Sequence, residues 1–168
     1  MTVQERDRRE GRIVTFYSYK GGTGRTMALA NVAWILASNG HRVLMIDWDL
    51  EAPGLHRFFH PLLDPARLAD RDGVINMIDE YCFHAGRALA NPEEAKPESW
   101  WARYASVSRN AIPVNFYFDG GGSLDFVSAA RQYPVFSANL TPLDWEKFYD
   151  ELSGSQFLDE MRKQLKQE

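Results

Sequence analysis

Seven consecutive residues, Lys20-Gly21-Gly22-Thr23-Gly24-Arg25-Thr26, bring together three glycines, two cations and two hydroxyls. A polyphosphate needs many closely placed donors and no obstructing side chains. Successive glycines supply this through backbone N–H groups with no Cβ atoms in the way. In a phosphate loop, a cation just before a hydroxyl reaches the outer phosphates, and the hydroxyl binds Mg2+. Arg25 holds the cation position here and Thr26 the hydroxyl position. Further along, Asp47 and Asp49 flank Trp48 and place two carboxylates at the end of an apolar run. By residue type alone these aspartates suit either metal and water handling or the capping of the next turn.

The flanking elements must put these groups within reach of each other. Ile13-Val14-Thr15-Phe16-Tyr17 is rich in β-branched and aromatic residues and runs directly toward the glycines, which predicts a short buried strand. Over residues 26–39, Leu29, Val32, Ala33 and Leu36 recur at helical spacing, with Met27, Ala30 and Trp34 on a neighbouring face. Gly40 supplies the stop. Val43-Leu44-Met45-Ile46 is an unbroken apolar run, the signature of a parallel strand covered on both faces, and it delivers Asp47. Strand, loop, helix, strand is the opening of an α/β fold with a doubly wound, mostly parallel sheet flanked by helices.

At this point the residues resemble a known family. Residues 20–26 look like the deviant Walker A motif, KGGxGK[ST], of the MinD/ParA family of P-loop ATPases, and Asp47-Trp48-Asp49 looks like its switch I segment. Ser18-Tyr19-Lys20 and Asp49-Leu50-Glu51-Ala52-Pro53-Gly54-Leu55 resemble a bacterial subgroup with a KGGxGR loop. The likeness is strong over residues 12–60 and loose elsewhere. It implies a P-loop NTPase fold that binds ATP and Mg2+ through Lys20, Gly21, Gly22, Thr23, Gly24, Arg25 and Thr26. It further implies that Lys20 reaches the phosphates of a partner subunit in an ATP-bound homodimer and that Thr26 ligates the metal. Asp47 would hold the metal's water shell, and Asp49 would orient the attacking water. Tyr19 stands where the family has a small residue, and Arg25 replaces the loop lysine. A planar, bulkier fork should preserve phosphate binding better than transition-state geometry, so slow hydrolysis is expected.

Past residue 60 the pattern is sparser. Residues 73–89 carry Val74, Met77, Ile78, Tyr81 and Cys82 at helical spacing, residues 91–98 form a Pro- and Glu-rich loop, and a short helix is expected over 100–107. Residues 113–118 and 124–128 are β-like runs joined by Asp119-Gly120-Gly121-Gly122-Ser123, a hairpin signal. Asp119 could instead serve as the Walker B aspartate, but the second run directly after it favours the turn. Thr141-Pro142 with Asp144 opens one helix, and an amphipathic helix with Phe157, Leu158, Met161 and Leu165 on one side starts at about residue 155. The family continues into a strand carrying Walker B. The chain therefore reads as an N-terminal piece, or a shortened form, of the domain, with residues 1–11 a charged leader and 12–168 the nucleotide-binding unit.

Composition narrows the function classes. A net charge of −4 argues against a broad electrostatic grip on nucleic acid or an anionic membrane. The first twelve residues lack the apolar stretch of a secretory signal, which points to the cytoplasm. Cys82 is the single cysteine and reads as an inert thiol, and His41, His56, His60 and His84 lack metal-site spacing. Trp100 and Trp101 read as core in preference to a partner surface, and the last helix as docked in preference to a membrane anchor. The leading expectation is a nucleotide-controlled dimerisation switch with weak ATP hydrolase activity and a protein partner still to be identified. The alternatives are a non-catalytic nucleotide sensor and a kinase-type phosphotransferase on the same loop.

Overall fold

The computed structural model describes residues 11–91, 93, 99–131 and 143–167. Helix α1 spans Arg25–Ser38, strand β1 Arg42–Ile46, and short helices α2 and α3 His56–Phe59 and Pro65–Asp70. Helix α4 follows at Val74–Ala90, then strands β2 at Ile112–Pro113 and β3 at Ser123–Val127, and helices α5 at Trp145–Asp150 and α6 at Gly154–Gln167. Short 3-10 turns lie at His60–Leu62, Trp100–Tyr104 and Ser108–Asn110.

The sheet is three-stranded, ordered β1-β3-β2. β1 and β3 run parallel, with Arg42 opposite Ser123 and Ile46 opposite Val127, while β2 is antiparallel to β3. Strand alternation divides the apolar residues between two layers. Val43 and Met45 of β1, with Leu124 and Phe126 of β3, pack toward Ala30, Ala33 and Ala37 of α1. Leu44, Ile46 and Val127 point the other way, toward Val74, Ile78, Tyr81, Phe148, Phe157 and Met161 on α4, α5 and α6. Helices thus cover both faces, as the unbroken apolar run of β1 predicts. The sheet is mixed among the described residues.

Residues 13–17 depart from expectation. They form no strand, and Ile13, Val14 and Tyr17 are exposed at 45%, 66% and 81%. Their side chains suit a sheet, but among the described residues no strand edge pairs with them, and strand formation depends on such a partner.

Helix α1 ends as its glycine predicts. Gly40, at φ 85°, donates to the Ala37 carbonyl and His41 to that of Leu36, the paired bonds of a Schellman stop. The 120–122 glycine turn leans directly on that helix end. A Cβ on Gly122 would come within 2.0 Å of the Ala37 carbonyl oxygen, so the hairpin can close here only with glycine. This also decides the place of Asp119. It precedes β3, at the end of the sheet where β1 begins, and so lies across the sheet from Asp47, in the turn and away from the phosphate loop.

The remaining expectations fall as follows. The 73–89 helix is α4 within a residue at each end. The 100–107 helix is a 3-10 turn over Trp100–Tyr104. Asp144 caps α5 by accepting from the Lys147 amide, whereas Thr141, Pro142, most of 91–98 and residues 1–10 lie outside the described residues. Trp100 stacks on Tyr81 at 5.9 Å, and both tryptophans pack on the second core, as expected. α6 is docked, as expected: it buries Phe157 and Met161 with Tyr81 and Phe148 in the core that also takes in Val127 of the sheet, and Tyr81 donates to the Leu152 carbonyl. Burial, aided by the charge of Asp79, pushes the half-buried Cys82 thiol up to about 11, which keeps it an unreactive thiol. No helix among the described residues is long and apolar enough to cross a membrane.

Candidate functional site

The glycine loop stands open to solvent at the head of α1. Lys20, Gly21, Gly22, Thr23 and Gly24 are exposed, and Arg25 and Thr26 are half-buried. Gly22 and Gly24 adopt φ of 72° and 81°, the left-handed region that glycine enters without strain. Gly21 has no such φ, and a Cβ there would meet nothing within 4 Å. Neither backbone conformation nor packing asks for glycine at that position.

Hydroxyls set the loop's shape. Ser18 Oγ donates to the Lys20 carbonyl at 2.8 Å and lies 2.8 Å from Thr23 Oγ1. Among the described residues the amides of Gly21, Gly22, Thr23 and Gly24 donate to no protein acceptor. Helix α1 begins on Gly24 with no side-chain cap and no acid in its first turn, so the positive end of a 14-residue helix also faces the loop uncompensated. Together these donors form a cradle for an anion.

Arg25 ties the loop to the aspartates. Its Nη1 donates to the Ser18 carbonyl at 2.5 Å, and its Nη2 lies 3.6 Å from Asp49 Oδ2. Both side chains of that ion pair are about a third exposed, so its contribution is about 0–1 kcal/mol, weak enough for an arriving phosphate to displace. Asp49 Oδ1 also accepts from the Ala52 amide.

Asp47 leaves the end of β1 and is 5% exposed. Its Oδ1 accepts from the Asp49 amide at 3.2 Å, and its Oδ2 from those of Gly54 at 3.1 Å and Leu55 at 3.0 Å. Burial pushes its carboxyl above the usual carboxylate range, and the three amides hold it back part of the way. Three bonds occupy most of a carboxylate's accepting capacity, so Asp47 suits a hydrogen bond to metal-bound water better than direct ligation.

For Mg2+, the donor chemistry fits: a hydroxyl at Thr26, one buried carboxylate and a nearby phosphate cradle match an ion that keeps several waters and binds through few protein oxygens. Among the described residues no group of three or more His, Cys, Asp and Glu side chains is placed to hold a metal by itself. Any such ion would therefore arrive with the phosphates.

Of the residues singled out from sequence, the structure joins Arg25 to Asp49, and Asp49 to Asp47 through its amide. Lys20 and Thr26 make no hydrogen bond or ion pair with either aspartate among the described residues. The Lys20 ammonium and the Thr26 hydroxyl make no hydrogen bond among the described residues. Two further polar groups stand out. Ser128 Oγ, on a residue 2% exposed just past β3, and the buried Nδ1 of His56, at the start of α2, have no hydrogen-bond partner among the described residues. Burial lowers the His56 pKa, and the Asp47 charge opposes that shift. Sequence reading misses Ser128, whose signal is a polar residue ending an apolar run, and takes His56 as one of four histidines without metal-site spacing.

Residues 14–166 match the CobQ/CobB/MinD/ParA nucleotide binding domain. The chain belongs to this family. The loop, α1 and Asp47 all lie inside the matched span of this CobQ/CobB/MinD/ParA domain. An uncharacterized ATP-binding protein of Methanocaldococcus jannaschii is 43% identical over 44 residues. That similarity takes in 26% of this chain and 17% of the archaeal protein, so the chain covers well under two thirds of that relative. No solved structure is a significant match.

Proposed function

We propose that this domain binds ATP with Mg2+ on the 20–26 loop and acts as a nucleotide-controlled dimerisation switch with slow hydrolysis. The observation that carries the reading is the open loop: four amides without protein acceptors, at the uncapped head of α1, around a glycine that packing does not require. The family supports nucleotide binding, and the name of the archaeal relative supports ATP as the nucleotide.

In this reading the loop amides and the α1 terminus hold the β- and γ-phosphates, and Arg25 turns from Asp49 to the phosphates as they enter. Thr26 would hold Mg2+ directly and Asp47 through water; the ion supplies neutralisation of phosphate charge. Release from Arg25 frees Asp49 to orient a water molecule. The Lys20 side chain, exposed and with no hydrogen bond or ion pair from its ammonium among the described residues, is free to reach phosphates held by a second subunit. Hydrolysis is slow because the planar Arg25 fork replaces a compact ammonium where charge builds on the transferred group.

Titration calorimetry with ATP and Mg2+ on the wild type and on Arg25→Ala tests the loop. Binding should weaken by roughly tenfold or more in the variant, from loss of a charge-assisted contact. Equally weak binding by both would remove the phosphate role of this loop.

One observation favours the sensor alternative. The strand beside β1 ends at Val127 and is followed by Ser128 where β1 is followed by Asp47, and Asp119 lies across the sheet. ATP kept intact for hours by folded protein would select the sensor; steady release of phosphate would select the ATPase.

A further inference from the structure

A second cationic site lies apart from the glycine loop and shares no residue with it. Between the end of α3, one face of α4 and the two 3-10 turns before β2 is a cleft of about 410 Å³, lined among others by Arg71, Glu80, His84, Arg103, Tyr104 and Arg109. The three arginines are linked in series through backbone carbonyls. Arg71 Nη1 donates to the Arg109 carbonyl at 3.2 Å, and Arg109 Nη1 to the Arg103 carbonyl at 2.9 Å. The Arg103 guanidinium lies over the Tyr104 ring, 4.6 Å from its centre, and donates to the Tyr104 hydroxyl. His84 stacks on the same ring at 4.9 Å, so Arg103 rests on a fixed aromatic support.

None of these three guanidiniums has a carboxylate partner among the described residues. Asp72 lines the cleft but is engaged by Arg131 at 2.5 Å, which leaves Glu80 as the acid not already paired there. In a chain of net charge −4, three cations around one cleft are a local arrangement and not a reflection of bulk composition. Each guanidinium carries five N–H donors, and the three hydrogen bonds above use only one on each. The donors left over far exceed what the two oxygens of a carboxylate accept, whereas the oxygens of a phosphoryl group match several arginine forks at once.

We infer that this cleft binds the phosphoryl group of a small phosphate-bearing ligand, through Arg71, Arg103 and Arg109. Its size falls in the range of small-ligand sites, so it has room for an organic portion beside the phosphate.

The test is calorimetric titration, without added nucleotide or Mg2+, of the full chain and of its Arg25→Ala variant, whose glycine loop is weakened, so that binding common to both reports the cleft. Pyrophosphate and phenyl phosphate serve as probes, and malonate as a carboxylate control. Both Arg109→Gln and Arg71→Gln should bind the phosphate probes at least roughly tenfold more weakly than wild type, the loss of one charge-assisted contact. Thermal melting confirms that each variant is folded, and either folded variant alone suffices. Stronger binding of phenyl phosphate than of pyrophosphate identifies a phosphate monoester, and the reverse order an inorganic phosphate. Wild-type affinity in a folded variant would overturn the inference, as would malonate binding as tightly as the phosphates. An Arg25→Ala change that abolishes probe binding, with nothing left at the cleft, would overturn it too.

Discussion

Replacing Gly21 with alanine separates a glycine kept for folding from one kept for a ligand. A Cβ at Gly21 meets no atom within 4 Å, and its φ is not in the left-handed region. The folded chain should accept the methyl group without strain, and the loss of unfolded-state freedom should leave stability unchanged or raised by about 0.5 kcal/mol. The methyl group would nevertheless occupy the space beside the loop amides. Pushing a phosphate away from one or two charge-assisted N–H bonds costs about 3 kcal/mol, or roughly a hundredfold in Kd. Gly122→Ala is the counterpart. Its Cβ would lie 2.0 Å from the Ala37 carbonyl oxygen, which forces the hairpin off the end of α1 at a cost of about 2–3 kcal/mol. Urea unfolding reports the first quantity, and calorimetry with ATP and Mg2+ the second. Gly21→Ala should lose affinity and keep stability; Gly122→Ala should do the opposite, binding normally for whatever fraction remains folded. Wild-type ATP affinity in Gly21→Ala would show that no phosphate lies against the loop there.

Two further expectations concern carboxylates whose pKa is raised by burial. Asp47→Asn can keep acceptors for Gly54 and Leu55 only by turning its NH2 group toward the Asp49 amide, so one bond is lost and the urea midpoint should fall by the equivalent of about 2 kcal/mol; a change below about 0.5 kcal/mol, the size of an ordinary surface substitution, would mean that the carboxylate does not hold this loop. Asp125 on β3 has its carboxyl pushed above 3.8 by burial alone, so the folded state takes up its proton more readily than the unfolded state. That contribution favours the fold at low pH and is lost as pH rises through the folded value. Asp125→Asn should therefore be more stable than wild type at pH 7, with the advantage vanishing below 3.8, and a pH-independent difference between the two unfolding curves would contradict this.

Local patterns carried much of the fold. The helix after the glycine loop, its stop at Gly40, α4 and the Asp144 cap depend on interactions within a few residues, which sequence displays directly; β1 and the glycine hairpin announced themselves by residue type, although their partners lie far along the chain. Residues 13–17 show where such reading stops, because their side chains advertise a strand while pairing depends on an edge elsewhere in the chain. The helical pieces between Leu55 and Arg71 were too short to show a period. At the site, residue types announced the loop and both aspartates. They could not announce that Arg25 bridges Ser18 and Asp49, since that contact joins the two ends of the loop–helix–strand unit.

The single point of attachment at Asp47 has a mechanical corollary. Because the amides of Asp49, Gly54 and Leu55 all close on one carboxylate, the chain between them is a handle fastened at its root. Glu51 and Ala52, exposed on its bend, can be exchanged to change what the handle displays without altering where it is anchored, whereas Leu50 packs on the second core. The far end of the handle, Leu55, leads straight into α2, so the same carboxylate also fixes where that helix begins.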